Sequence, residues 1–132
     1  MSTKDSVVIL VVDDEPTICN LIQQVLEKEA YRVITANDGF HALALAGAFQ
    51  DRIHLLITET DLARMSGIEL ARQLLTARPD IRVVLMSGRP AGNDPKLPFL
   101  GKPFDIDTLR AKVRETLGPQ GKHRGRTENP DC

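Results

Sequence analysis

Aromatic side chains are scarce in this sequence: its 132 residues include no tryptophan, one tyrosine and four phenylalanines. A surface that stacks nucleic-acid bases on rings is therefore unsupported. Charge of one sign is lacking too, with 17 Lys+Arg against 18 Asp+Glu and a formal net charge of −1, so the chain has no basic footprint for direct nucleic-acid binding. Two cysteines, Cys19 and Cys132, are too few and too far apart for a disulfide framework or a zinc site, which suits a reducing, cytoplasmic setting. Long hydrophobic runs are also missing. Nothing approaches the roughly 20 apolar residues of a membrane helix, and the stretch from Met1 to Ser6 is polar, unlike a signal peptide. The expectation is a cytoplasmic protein with no membrane association. What is present, 42% hydrophobic residues in a chain of this length, suffices for one core without metal or disulfide support.

Two hydrophobic periods alternate along the body. Val7 to Val12 is an unbroken aliphatic run of strand length followed by acids and Pro16. From Pro16 to about Glu29, Ile18, Leu21, Ile22, Val25 and Leu26 recur at helical spacing, with proline suited to the first turn. Tyr31 to Ala36 reads as a second strand, and Asn37-Asp38-Gly39 turns the chain into an alanine-rich helix reaching Phe49. Ile53 to Thr58 is a third strand. Ser66 can cap a helix with Ile68, Ala71, Leu74 and Leu75 on one face, ending before Pro79. Arg82 to Ser87 is a fourth strand, and Ile106, Leu109, Val113 and Leu117 stripe a last helix that starts near Asp105 and Asp107 and closes at Gly118-Pro119. Residues 119–132 hold no aliphatic anchor and read as a disordered tail, leaving 6–118 as one domain.

Strands apolar on both faces and alternating with helices predict a doubly wound parallel α/β sheet with right-handed crossovers. Ligands in such sheets bind at the carboxyl ends of the strands. There the sequence places Asp13 and Asp14, then Glu59 and Asp61, then Ser87-Gly88, and finally Lys102-Pro103 after Phe99-Leu100. An aspartate pair after a strand commonly caps a helix, and Ser-Gly commonly makes a turn. All of them in order, each at a strand terminus, argue for a shared site instead. Carboxylate oxygens suit Mg²⁺, which joins a few acids to phosphate oxygens, while Ser87 and Lys102 can hold other oxygens of a phosphoryl group.

Val-Val-Asp13-Asp14-Glu-Pro, Leu-Leu-Ile-Thr-Glu59 with Met65-Ser-Gly67 beyond it, Leu-Met-Ser87-Gly and Lys102-Pro103-Phe104 together resemble the receiver domain of bacterial two-component response regulators. The resemblance covers about residues 6–118. It implies a flavodoxin-like (βα)₅ sheet of strand order 2-1-3-4-5, and a central acid that takes a phosphoryl group from a sensor histidine kinase or phosphotransfer protein with Mg²⁺ present. By position, Asp13 and Asp14 are the acidic pair, with Mg²⁺ held chiefly by Asp14. The Asp61 backbone carbonyl is a further metal ligand. Ser87 is the switch hydroxyl, Phe99 the switch aromatic and Lys102 the phosphate-binding cation. Pro103 follows a cis peptide.

Two features depart from the family. Eight positions before Gly67, where receivers carry the acceptor aspartate, stands Glu59. Glutamate reaches about 1.5 Å further, and a misplacement near 1 Å costs in-line transfer on the order of 10²-fold. Ala63 and Ser66 also replace the usual proline and acid of this loop. The segment from Ser87 to Lys102 spans only 15 positions and includes three prolines and two glycines between Gly88 and Pro98, so the helix between strands four and five should be shortened or absent. The expectation is a single-domain receiver that binds a downstream protein partner, with phosphorylation impaired or partly mimicked by Glu59 and Mg²⁺ weakened or displaced. Its rivals are a working phospho-accepting receiver and a small Mg²⁺-dependent phosphatase. Cys19 reads as a core thiol with no histidine placed to activate it, and His41, His54 and His123 lack ligand spacing.

Overall fold

The computed structural model describes residues 6–89 and 97–118. Its elements run β1 (Val8–Val12), α1 (Pro16–Lys28), β2 (Arg32–Ala36), α2 (Gly39–Ala48), β3 (Leu55–Glu59), α3 (Gly67–Ala77), β4 (Arg82–Ser87), β5 (Phe99–Gly101) and α4 (Ile106–Leu117). All strand pairs are parallel, in the predicted order β2-β1-β3-β4-β5. No helix lies between β4 and β5 among the described residues. Residues 90–96, where a shortened one would fall, and the expected tail at 119–132 lie outside them.

The strands are buried on both faces because their side chains alternate between two cores. Ile9 and Val11 of β1, Leu55 and Ile57 of β3, and Val84 and Met86 of β4 meet α1 and α4 on one side. Val8, Leu10, Leu56, Val83 and Leu85 meet α2 and α3 on the other. Each fully buried Leu or Ile contributes about 1.5–3 kcal/mol relative to exposure, so the central strands are the most firmly fixed part of the chain. The geometry at the end of β3 is therefore set by the core.

Helix starts follow their caps. Asp38, Ser66 and Asp105 each accept a hydrogen bond from the backbone N–H three residues on, satisfying an orphan donor of the first turn. Pro16 opens α1 without a side-chain cap. Some boundaries differ from expectation. β2 starts at Arg32 because Tyr31 N–H still closes the end of α1 on Leu26 O, with Ala30 in the left-handed region at φ 72°. β3 starts at Leu55 and runs on through Glu59, while His54 pairs twice with Val8. Leu21 and Ile106, both expected on buried stripes, are exposed.

Candidate functional site

Strand register brings the site together. Val12 pairs with Thr58 and Glu59 with Met86, so Asp13 emerges beside Glu59. Ser87 pairs with Gly101 and its carbonyl accepts from Lys102 N–H. Asp13 (fully buried), Glu59 (7% exposed) and Ser87 (4%) are buried polar residues at this edge. The Lys102–Pro103 peptide is cis, as the resemblance implied.

At the centre, Lys102 Nζ donates to Asp13 Oδ2 at 2.7 Å and to Glu59 Oε1 at 2.5 Å. The remaining oxygen of each carboxylate is also engaged: Asp13 Oδ1 accepts from Glu15 N–H (2.9 Å) and Glu59 Oε2 from Asp61 N–H (3.0 Å). Two buried acids thus present four oxygens, and each accepts a N–H donor. Burial works against the Lys102 charge, but the hydrogen bonds and negative charges of Asp13 and Glu59 outweigh it and hold its pKa above the ordinary lysine range. Charge-assisted bonds at these distances are among the stronger ones a protein makes.

The loops around this centre are tied down. Gly67 N–H donates to Thr60 O, and a Cβ at Gly67 would lie 2.0 Å from the Glu59 carbonyl oxygen. Only glycine lets α3 start this close to the strand end. Asp61 Oδ2 pairs with Arg89 (2.8 Å), and Arg89 N–H donates to the Ser87 hydroxyl (3.0 Å). Further along, Arg64 at φ 69° pairs with Asp38 at 3.2 Å and stacks on Phe40. Phe99 is half-buried against the α2/α3 core. Asp14 is exposed and, with Glu15, Glu59, Asp61, Arg89 and Lys102, lines an open cleft. Cys19 is buried beneath Asp13 and donates to its carbonyl at 3.5 Å. Burial and the Asp13 charge push its thiol pKa up, as befits a core residue.

Of the residues singled out from sequence, Asp13, Glu59 and Lys102 meet directly. Ser87 and Asp61 stand one contact away, Asp14 lies at the cleft mouth, and Phe99 packs below. Arg89, which links Asp61 to Ser87, was not foreseen; its position two residues after Ser87 was the only available signal. Among the described residues, no group of three or more His, Cys, Asp or Glu is arranged to hold a metal ion. The two buried carboxylates are bridged by the Lys102 ammonium.

Residues 9–114 match the response regulator receiver domain family, and the chain belongs to it. It is 32% identical over 116 residues to the alkaline phosphatase synthesis transcriptional regulatory protein PhoP of Bacillus subtilis, covering 83% of this chain and 48% of PhoP. It is 30% identical over 116 residues to sporulation initiation phosphotransferase F of the same organism, covering 83% of this chain and 92% of that protein. The chain thus spans about half the length of PhoP, and likewise half of the response regulator MprA of Mycobacterium leprae. Among solved structures, the receiver domain of the hybrid histidine kinase CckA superposes with a TM-score of 0.75 at 31% identity, over 84% of this chain and 99% of that one. The signal receiver domain of an HD domain-containing protein from Pseudomonas fluorescens gives 0.77 at 27%, over 85% and 94%. The chain is therefore a receiver domain of two-component signalling. Such domains are signalling modules rather than classical enzymes, and as a family they use Mg²⁺ at the acidic phosphorylation site. Among the described residues, no helix is long and apolar enough to cross a membrane.

Proposed function

We propose that residues 6–118 form a receiver in which Glu59 holds the acceptor position and is already paired with Lys102, so that phosphotransfer is impaired and the domain signals by binding a downstream protein. The observation that carries this reading is the Glu59 Oε1 to Lys102 Nζ contact. The added methylene puts the carboxylate onto the cation that a phosphoryl group would otherwise engage. A phosphoryl donor approaching Glu59 meets a carboxylate held from both ends, Oε1 by Lys102 and Oε2 by Asp61 N–H, so it cannot swing freely to an in-line position. Glutamate supplies one negative charge where a phosphate supplies about −1.5 to −2. The mimicry is partial: the lysine is engaged, whereas the Ser87 hydroxyl accepts from Arg89 N–H.

In this reading Asp13 and Asp14 are the acidic pair, Ser87 and Phe99 the switch positions, and Lys102 the phosphate-site cation, with Mg²⁺ binding weakened. The domain works in the cytoplasm opposite a histidine kinase or phosphotransfer protein, with no direct nucleic-acid or membrane contact of its own. A phosphatase reading is disfavoured because Asp61, the second acid such chemistry would need, is tied to Arg89.

Incubation with acetyl phosphate and Mg²⁺, read by intact mass, tests the proposal. The wild-type chain is expected to gain no phosphoryl group, whereas Glu59→Asp gains one. A phosphoryl group on Glu59 or Asp61 of the wild type overturns it.

A further inference from the structure

In this chain, we infer, the Lys102 ammonium takes the place of the divalent cation: it bridges Asp13 and Glu59 and closes the pocket to Mg²⁺, so that a metal site exists only when Lys102 or the length of residue 59 is changed. The inference rests on the functional reading above only in taking this pocket as the receiver's acidic site.

Charge and geometry carry this inference. The facing oxygens of Asp13 and Glu59 contact one ammonium nitrogen at 2.7 and 2.5 Å, which already supplies a positive charge between the two acids. A second cation between them would be repelled by the first in a pocket where Lys102 is 16% exposed and Asp13 fully buried. The other oxygen of each acid accepts from a backbone N–H, of Glu15 and of Asp61, which keeps both carboxylates aimed at Lys102. The Asp61 end of one loop is held by Arg89 and its Gly67 end by close packing against Glu59. Asp14, which the resemblance gives the chief metal role, is exposed and makes no ion pair among the described residues. Mg²⁺ demands near-octahedral oxygen geometry and gives up water reluctantly, so one exposed carboxylate is a poor substitute for the buried pair. Removing Lys102 reverses the situation, leaving two adjacent buried carboxylates uncompensated.

Thermal melting of the full chain in EDTA and in about 10 mM MgCl₂ at matched ionic strength reads this directly, since a ligand that binds the folded state raises its melting temperature. The wild type is expected to melt within about 1 °C in both. Lys102→Met should melt lower than wild type in EDTA and rise by about 3 °C or more with Mg²⁺. Glu59→Asp, which keeps Lys102 and withdraws the carboxylate from it, should also rise with Mg²⁺ and keeps the test open if Lys102→Met does not fold. A saturable Mg²⁺-dependent rise in the wild type overturns the inference. So does a flat response in Glu59→Asp together with a flat or unobtainable one in Lys102→Met. Metal binding by the wild type without phosphorylation would sink this inference alone, whereas phosphorylation of the wild type would sink the functional reading.

Discussion

The Glu59–Lys102 pair makes a quantitative prediction for a double-mutant cycle. Two unit charges 2.5 Å apart attract by roughly 7 kcal/mol at an effective dielectric of about 20. Desolvation of both ends offsets most of that, because the side chains are 9% and 16% exposed. A net coupling of about 2 kcal/mol should remain, in the range of hydrogen bonds to charged groups. The two single mutants should not cost the same. Glu59→Gln keeps the shape but offers one acceptor oxygen to two donors, Lys102 Nζ and Asp61 N–H, so one donor goes unsatisfied at about 1–3 kcal/mol. Lys102 retains Asp13 throughout. Lys102→Met instead strands two buried carboxylates, at about 3–5 kcal/mol. Urea unfolding of the wild type, both singles and the double Glu59→Gln/Lys102→Met gives the coupling. The double should be less destabilised than the sum of the singles by about 2 kcal/mol, and additivity within about 0.5 kcal/mol would refute the pairing.

Gly67→Ala should destabilise the fold by about 2–3 kcal/mol in urea titration, because its Cβ would sit 2.0 Å from the Glu59 carbonyl oxygen and backbone must move. The Lys102 pKa is raised in the folded state, so its contribution to stability is complete below the unfolded lysine value near 10.4 and is lost as pH climbs through the higher folded value. The wild type should therefore lose stability above about pH 10.4 more steeply than Lys102→Met. Arg89→Ala should change stability by less than about 1 kcal/mol, since the Arg89–Asp61 pair is 75% and 52% exposed and solvent screens it; a larger loss in chemical denaturation would mean the tie holds more of the loop than its exposure suggests.

The fold was legible because the unbroken aliphatic runs, such as Val7 to Val12 and Ile53 to Ile57, could be buried only on both faces of a sheet, and that places every strand end on one side of the molecule. The spacing of Glu59 from Gly67 has a physical basis: the glycine lies so close to the Glu59 carbonyl that the loop between them has little freedom in length. What pattern could not reveal was direction. Sequence places an acid and a lysine at neighbouring strand ends without saying whether the extra methylene turns the carboxylate toward Lys102 or toward Asp14, because both lie within a side chain's reach. Backbone donors decide it. Asp61 N–H fixes one oxygen and so aims the other at Lys102, and Glu15 N–H does the same for Asp13. The Arg89–Asp61 link was likewise invisible, since it depends on how two loops of unlike sequence approach each other. A shift in where either loop's backbone N–H points would therefore redirect the site even with every side chain unchanged.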